Sequence, residues 1–103
     1  MNREKFIYVL QGMHQQEVQL HLEKGEQYSS ENNTFDNFIQ GAKAMDQTPR
    51  EYCLTLAEKH RQALLRNARG ESQESVAMIK ERVRDIRLYM ALYYGLTLDD
   101  IVG

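Results

Sequence analysis

The sequence predicts an all-α fold, a four-helix-bundle-like single domain that spans residues 1–103. Apolar residues recur at helical spacing in four stretches, strand signals are almost absent, and the one proline, Pro49, lies where a helix would begin. A chain of 103 residues leaves no room for a second core. A domain of this size also buries a limited share of its surface, so we expect a homodimer.

The first half of the chain predicts two helices separated by a polar loop. The first runs from about Arg3 to Gln27 and offers several apolar side chains for burial: Phe6, Ile7, Leu10, Met13, Val18 and Leu22. Residues 29–34 read Ser-Ser-Glu-Asn-Asn-Thr, and their short polar side chains compete for backbone hydrogen bonds, which predicts a loop. A short second helix follows, from about Phe35 to Met45.

The third helix has the strongest start signal. Thr48 is predicted to cap it, Pro49 occupies the first helical position, and Glu51 closes a capping box. Gly70 is predicted to stop this helix just after Arg69. Its apolar side is expected to carry Cys53, Leu56, Ala57, His60, Leu64 and Leu65.

The fourth helix is predicted from about Ser72 to Tyr94, with Gly95 as its C-terminal cap. Its apolar residues alternate spacings of three and four, which is typical of a continuous seam. We expect this seam to form the spine of the core: Val76, Ile79, Val83, Ile86, Met90 and Tyr93.

Composition and charge limit the classes of function. The formal net charge of −2 gives no reason to expect nucleic-acid binding, and the two basic stretches, 59–69 and 80–87, are interleaved with acidic residues. A single cysteine, Cys53, forms no internal disulfide and is interpreted as a core residue. The absence of a long apolar run predicts no membrane association and a cytoplasmic protein.

The fourth helix carries the most suggestive polar pattern. Glu81 and Asp85 stand four residues apart, so they share one face, and Tyr89 follows one turn later. Two carboxylates so placed repel each other unless a cation lies between them. That cation is either a neighbouring side chain, with Arg84 the nearest, or Mg²⁺, which prefers carboxylate oxygens.

Two other sets of polar residues invite a metal-site interpretation. Glu17, Glu23 and Glu26 cluster near the end of the first helix and would converge with Glu81 and Asp85 if the two helices packed in register. The alternative for this cluster is a solvated acidic terminus. The three histidines, His14, His21 and His60, lack a compact transition-metal motif, and His60 is interpreted as a hydrogen-bonded core residue.

Four fragments occur in an order that resembles one family. They are Lys24-Gly25-Glu26-Gln27-Tyr28, Asn37-Phe38, Lys59-His60 and Glu81-x-x-x-Asp85-x-x-x-Tyr89. Together they resemble small phage and prophage proteins related to the all-α nucleotide pyrophosphohydrolases, the MazG-like superfamily, over about residues 20–92. The resemblance implies a Mg²⁺-dependent enzyme that converts a nucleoside triphosphate into a monophosphate and pyrophosphate.

The resemblance also implies a role for particular residues. The catalytic and metal-binding residues would be Glu26, Glu81 and Asp85, and the substrate-binding residues Lys59, Asn37, Tyr28 and Tyr89. Gln27 departs from the family pattern, because a neutral amide stands where a second acidic residue is expected. The alternative is therefore a non-enzymatic helical module that acts through dimerisation or protein–protein interaction.

Overall fold

The computed structural model describes residues 1–24 and 36–102. Within these ranges the chain forms four helices and no strand, which confirms the predicted all-α, bundle-like fold. The helices are α1 (Arg3–Lys24), α2 (Asp36–Ala44), α3 (Pro49–Ala68) and α4 (Val76–Val102). The predicted C-terminal end of the first helix, Gln27, and the whole predicted loop, residues 29–34, lie outside the described residues.

The core lies where α2, α3 and the C-terminal half of α4 meet. Phe38, Cys53, Leu92 and Leu96 are buried together there, flanked by half-buried aromatic and leucine side chains. Burial raises the pKa of the Cys53 thiol, so this cysteine is a protonated core residue, as predicted. α3 and α4 form the central pair, α2 packs on α3, and α1 packs on α4.

Local hydrogen bonds explain where α3 begins and ends. The Thr48 hydroxyl accepts from the Glu51 amide at 3.2 Å, and the Glu51 carboxylate accepts from the Thr48 amide at 3.0 Å, which confirms the predicted capping box. At the other end the Glu71 amide donates to the Arg66 carbonyl across Gly70. Gly70 has a φ of 74°, a left-handed conformation that glycine adopts without strain, so the predicted stop is also confirmed.

Replacing Thr48 by alanine is expected to lower the free energy of unfolding by about 1 kcal/mol, because one end of α3 loses its cap. Urea denaturation measures the difference, and Thr48→Ser, which keeps the hydroxyl, serves as the control.

The Thr48 amide and hydroxyl together hold the pKa of Glu51 below its ordinary value. Because the pKa of Glu51 is lower in the folded than in the unfolded chain, its ionised carboxylate stabilises the fold at pH values above the ordinary carboxyl pKa. This contribution is lost as the pH falls through the pKa of the folded state. Alanine keeps the backbone amide, which is the larger cause of the lowered pKa, so the difference between the wild type and Thr48→Ala should change little in acid; a difference that disappears there would contradict this account.

The predicted end of the fourth helix is wrong, because α4 continues through Gly95 to Val102. A glycine inside a helix costs about 1 kcal/mol relative to alanine. Two contacts beyond it favour the longer helix: Leu96 is buried in the core, and Asp100 lies 3.2 Å from Arg50 of α3. Tertiary contacts thus override the local stop signal.

The predicted spine of the core is also wrong. Val76 is 84% exposed and Met90 is 39% exposed, whereas the buried residues of α4 are Leu92 and Leu96. α1 has no buried residue between positions 3 and 23, since only α4 among the described helices packs against it. A large apolar surface on α1 and the first half of α4 therefore faces solvent.

No helix in the described part of the chain is both long and apolar enough to cross a membrane.

Candidate functional site

The residues predicted for the site fall into three groups. Glu81, Asp85 and Tyr89 follow one another along α4 at one-turn intervals, as expected from their spacing. Lys59 is exposed on α3, and Asn37 belongs to the first turn of α2. The remaining two, Glu26 and Tyr28, lie outside the described residues.

A cluster of polar and aromatic side chains joins α3 to α4. We call it the His60 cluster; its members are His60, Glu74, Arg82, Asp85 and Tyr89. Asp85 Oδ2 lies 3.7 Å from His60 Nε2, and Arg82 Nη1 lies 3.3 Å from His60 Nδ1. Arg82 Nη2 also donates to Glu74 Oε1 at 3.1 Å. The imidazole is therefore held between a carboxylate and a guanidinium.

Aromatic contacts extend the cluster to α2. The His60 ring stacks on the Tyr89 ring with centroids 6.1 Å apart and an interplanar angle of 23°. Tyr89 meets Phe38 edge-on at 6.4 Å. One residue from each of three distant fragments, Phe38, His60 and Tyr89, is thus in contact with another of the three.

The partners of His60 determine where its proton lies in the neutral ring. A guanidinium only donates hydrogen bonds, so Nδ1, which faces Arg82, acts as an acceptor. The proton of the neutral imidazole then sits on Nε2 and points toward Asp85. At 3.7 Å this contact is longer than a hydrogen bond, so His60 lies beside the Asp85 carboxylate without fixing its orientation.

Glu81 opens toward a small cavity between α1 and α4. The cavity has a volume of about 230 Å³, and the side chains that line it are Met13, Gln16, Ala77, Lys80, Glu81 and Arg84. Pockets for drug-sized ligands typically span roughly 300–1,000 Å³, so this one has room for a phosphate group and not for a whole nucleotide. The buried Nε of Arg84 has no hydrogen-bond partner among the described residues.

Cations surround the two carboxylates of α4. Arg84 Nη2 lies 3.4 Å from Asp85 Oδ1, so a neighbouring arginine does approach the acidic pair. In the described ranges no three His, Cys, Asp or Glu side chains come together around a possible metal position. Mg²⁺ is commonly held by one or two carboxylates together with substrate phosphates, so Glu81 and Asp85 remain a chemically suitable pair.

The two members of the acidic cluster of the first helix that the structure describes, Glu17 and Glu23, make other contacts than the predicted convergence with Glu81 and Asp85. α1 does pack beside α4, but Glu17 Oε1 lies 2.7 Å from Arg87 Nε, one half-turn beyond Asp85. Glu23 accepts a hydrogen bond from Gln19 on its own helix. These two carboxylates are therefore engaged away from Glu81, and the third member, Glu26, lies outside the described residues.

Ion pairs engage some of the cations in the two basic stretches. Arg61 bonds to Glu58 at 2.7 Å, and this contact, with a hydrogen bond from Gln62, lowers the pKa of Glu58 to about 2. Arg82, Arg84 and Arg87 also pair with carboxylates. Among the described residues, Lys59, Arg66, Arg69 and Lys80 have no such carboxylate partner, so the ion pairs account for half of the cations in the two stretches.

Sequence reasoning did not identify Glu74 or Arg82 as parts of the site. Glu74 lies in the connection before α4, and its side chain folds back to Arg82, eight positions along the chain. Helical periodicity does not apply to Glu74, which lies between two helices, so the sequence did not indicate that Glu74 and Arg82 would pair. The resemblance implies substrate binding for Lys59, whereas the adjacent His60 is predicted to be a core residue. In the structure it is His60 that faces Asp85.

Comparison with known proteins gives no relative from which to assign the site. No protein-family model matches the chain, and no curated protein or solved structure shows significant similarity to it.

Proposed function

We propose that this protein binds a nucleoside triphosphate together with Mg²⁺ and hydrolyses it to a monophosphate and pyrophosphate. The observation that carries the proposal is that Phe38 and His60, from two sequence fragments, both contact Tyr89 of a third, with Asp85 beside His60. These fragments come from α2, α3 and α4, and they are the described parts of the pattern that resembles the pyrophosphohydrolases. Their convergence supports a shared binding site over unrelated surface positions.

The geometry of Asp85 supports metal binding. Its contacts with Arg84 and His60, at 3.4 and 3.7 Å, are long, and an ionised carboxylate can accept about four hydrogen bonds. Asp85 therefore keeps capacity for a further ligand, and Glu81 adds a second carboxylate one turn away. When bound, Mg²⁺ would polarise a phosphate oxygen and lower the pKa of a bound water.

The surroundings of Glu81 support phosphate binding. Lys80 and Arg84 line the same small cavity and bring positive charge to it. The cavity suits a phosphate group in size, so the nucleoside would lie outside it. Binding would then depend on the metal and the phosphate chain more than on the base.

A non-enzymatic helical module is the second candidate function, and one observation favours it. Polar contacts already run from Glu74 through Arg82 and His60 to Asp85, which is what a purely structural link between α3 and α4 requires. In that case Glu81 and Asp85 hold no metal, and the protein acts through its surfaces.

A thermal-shift titration distinguishes the two candidates. The purified protein is melted with Mg²⁺ or Mn²⁺ alone, with each of a panel of nucleoside triphosphates alone, and with both. The proposal predicts a rise in melting temperature that needs metal and nucleotide together, since a ligand at about 100 times its Kd stabilises the native state by about 2.7 kcal/mol. Release of pyrophosphate by the responding nucleotide tests the hydrolysis step. A flat response across the panel would favour the helical module.

A further inference from the structure

We propose that a second copy of this chain covers the groove between α1 and α4. This α1–α4 groove is formed by Tyr8, Val9, Met13, Val76, Ile79 and Val83, and it encloses about 540 Å³. It lies at the N-terminal ends of both helices, away from the buried core at Phe38 and Leu92. The groove adjoins the small cavity at Glu81, with which it shares Met13, Gln16 and Lys80, but the inference does not depend on nucleotide binding.

The groove exposes apolar side chains far more than a monomer normally does. Val76 is 84% exposed and Tyr8 is 79% exposed, and Phe6 and Ile7 beside them are about half exposed. Contiguous apolar surface of this kind marks an interaction site in soluble proteins. α1 carries apolar residues around its whole circumference, whereas α4 covers one side of it, so the helix needs a second neighbour.

The charge pattern fits a second copy of the same chain. In a two-fold symmetric contact each residue meets the same surface on its partner, so like charges would repel. The stretch from Phe6 to Gln16 contains no Asp, Glu, Lys or Arg, and Lys80 is the one charged residue that lines the groove. A surface with so little charge is compatible with its own copy and offers little to select a charged partner.

A second copy would supply a matching pair of helices to the groove. Two α1–α4 layers facing each other would form a four-helix bundle across the symmetry axis.

Val76→Asp is the decisive variant. Val76 is the first residue of α4, where a carboxylate interacts favourably with the helix N-terminus, so the change does not threaten the fold of one chain. In the dimer the same carboxylate would be buried in an apolar interface without a partner. Ile101→Asp is the matched control, because Ile101 is 76% exposed on the same helix but at its other end.

Sedimentation equilibrium over a range of protein concentrations gives the result. We expect the wild type and Ile101→Asp to sediment at twice the 12.1 kDa of one chain, and Val76→Asp to dimerise at least about 100-fold more weakly. Tyr8→Glu, which alters the α1 side of the groove, should act in the same direction, and circular dichroism checks that each variant keeps its helices. A wild type that stays monomeric at hundreds of micromolar, or a Val76→Asp variant that dimerises like the wild type, would overturn the proposal.

Discussion

Replacing Asp85 by asparagine is expected to weaken metal-dependent nucleotide binding by about 10- to 100-fold, the usual effect of losing a charged partner. Asparagine keeps the shape of the side chain but removes the negative charge that would hold Mg²⁺ beside Glu81. The thermal-shift response, or calorimetry with the responding nucleotide, measures the loss. Glu81→Gln should act in the same direction, because the two carboxylates are one turn apart on α4.

Asp100→Asn is the control for this experiment. Asp100 lies on the same helix and also pairs with an arginine, Arg50, at 3.2 Å, but it is far from the His60 cluster along α4. Nucleotide binding should not change in this variant. If Asp85→Asn lowers stability to urea but binds nucleotide like the wild type, then Asp85 is a structural link between α3 and α4, and the proposed function loses its main support.

The sequence predicted best those features that depend on neighbouring residues. The capping box of Thr48 and Glu51 and the stop at Gly70 involve atoms within a few positions of each other, so the residue types alone define them. The alignment of Glu81, Asp85 and Tyr89 on one face follows from the helical repeat in the same way. Such features do not depend on how the helices pack.

The errors concern contacts between helices. The spacing of Val76, Ile79 and Val83 correctly marks an apolar face, but it does not say whether another helix covers that face. The buried residues of α4 are Leu92 and Leu96, because α2 and α3 bring Phe38 and Cys53 to that end. The extension of α4 beyond Gly95 has the same origin, since the distant Arg50 contacts its last turns.

The same distinction applies to the candidate site. The acidic pair on α4 was visible in the sequence, whereas the approach of His60 to Asp85 and of Glu74 to Arg82 depends on how α3 and the connection before α4 are placed. The mutual approach of Glu17 and Arg87 likewise depends on the register between α1 and α4. A metal site assembled from two helices requires that register, and a helical repeat does not define it.

Truncating Leu92 to alanine is expected to lower the free energy of unfolding by about 3 kcal/mol, within the usual range for a buried leucine. Leu92 is 5% exposed and packs with Phe38, Cys53 and Leu96 where three helices meet. The loss combines the transfer of buried apolar surface with the cavity that remains. Urea denaturation of the wild type and the variant, fitted with a common slope, measures the difference.

Leu98→Ala is the matched control, since Leu98 lies on the same helix but is 42% exposed. Its truncation should cost less than about 1 kcal/mol, because little apolar surface leaves contact with other atoms. If both variants lose the same free energy of unfolding, Leu98 must also be buried, by a contact at the end of α4 that the structure does not show. A larger loss at Val76 than at Leu92, measured as alanine variants at high protein concentration, would instead indicate that the dimer contact stabilises the fold more than the core of one chain does.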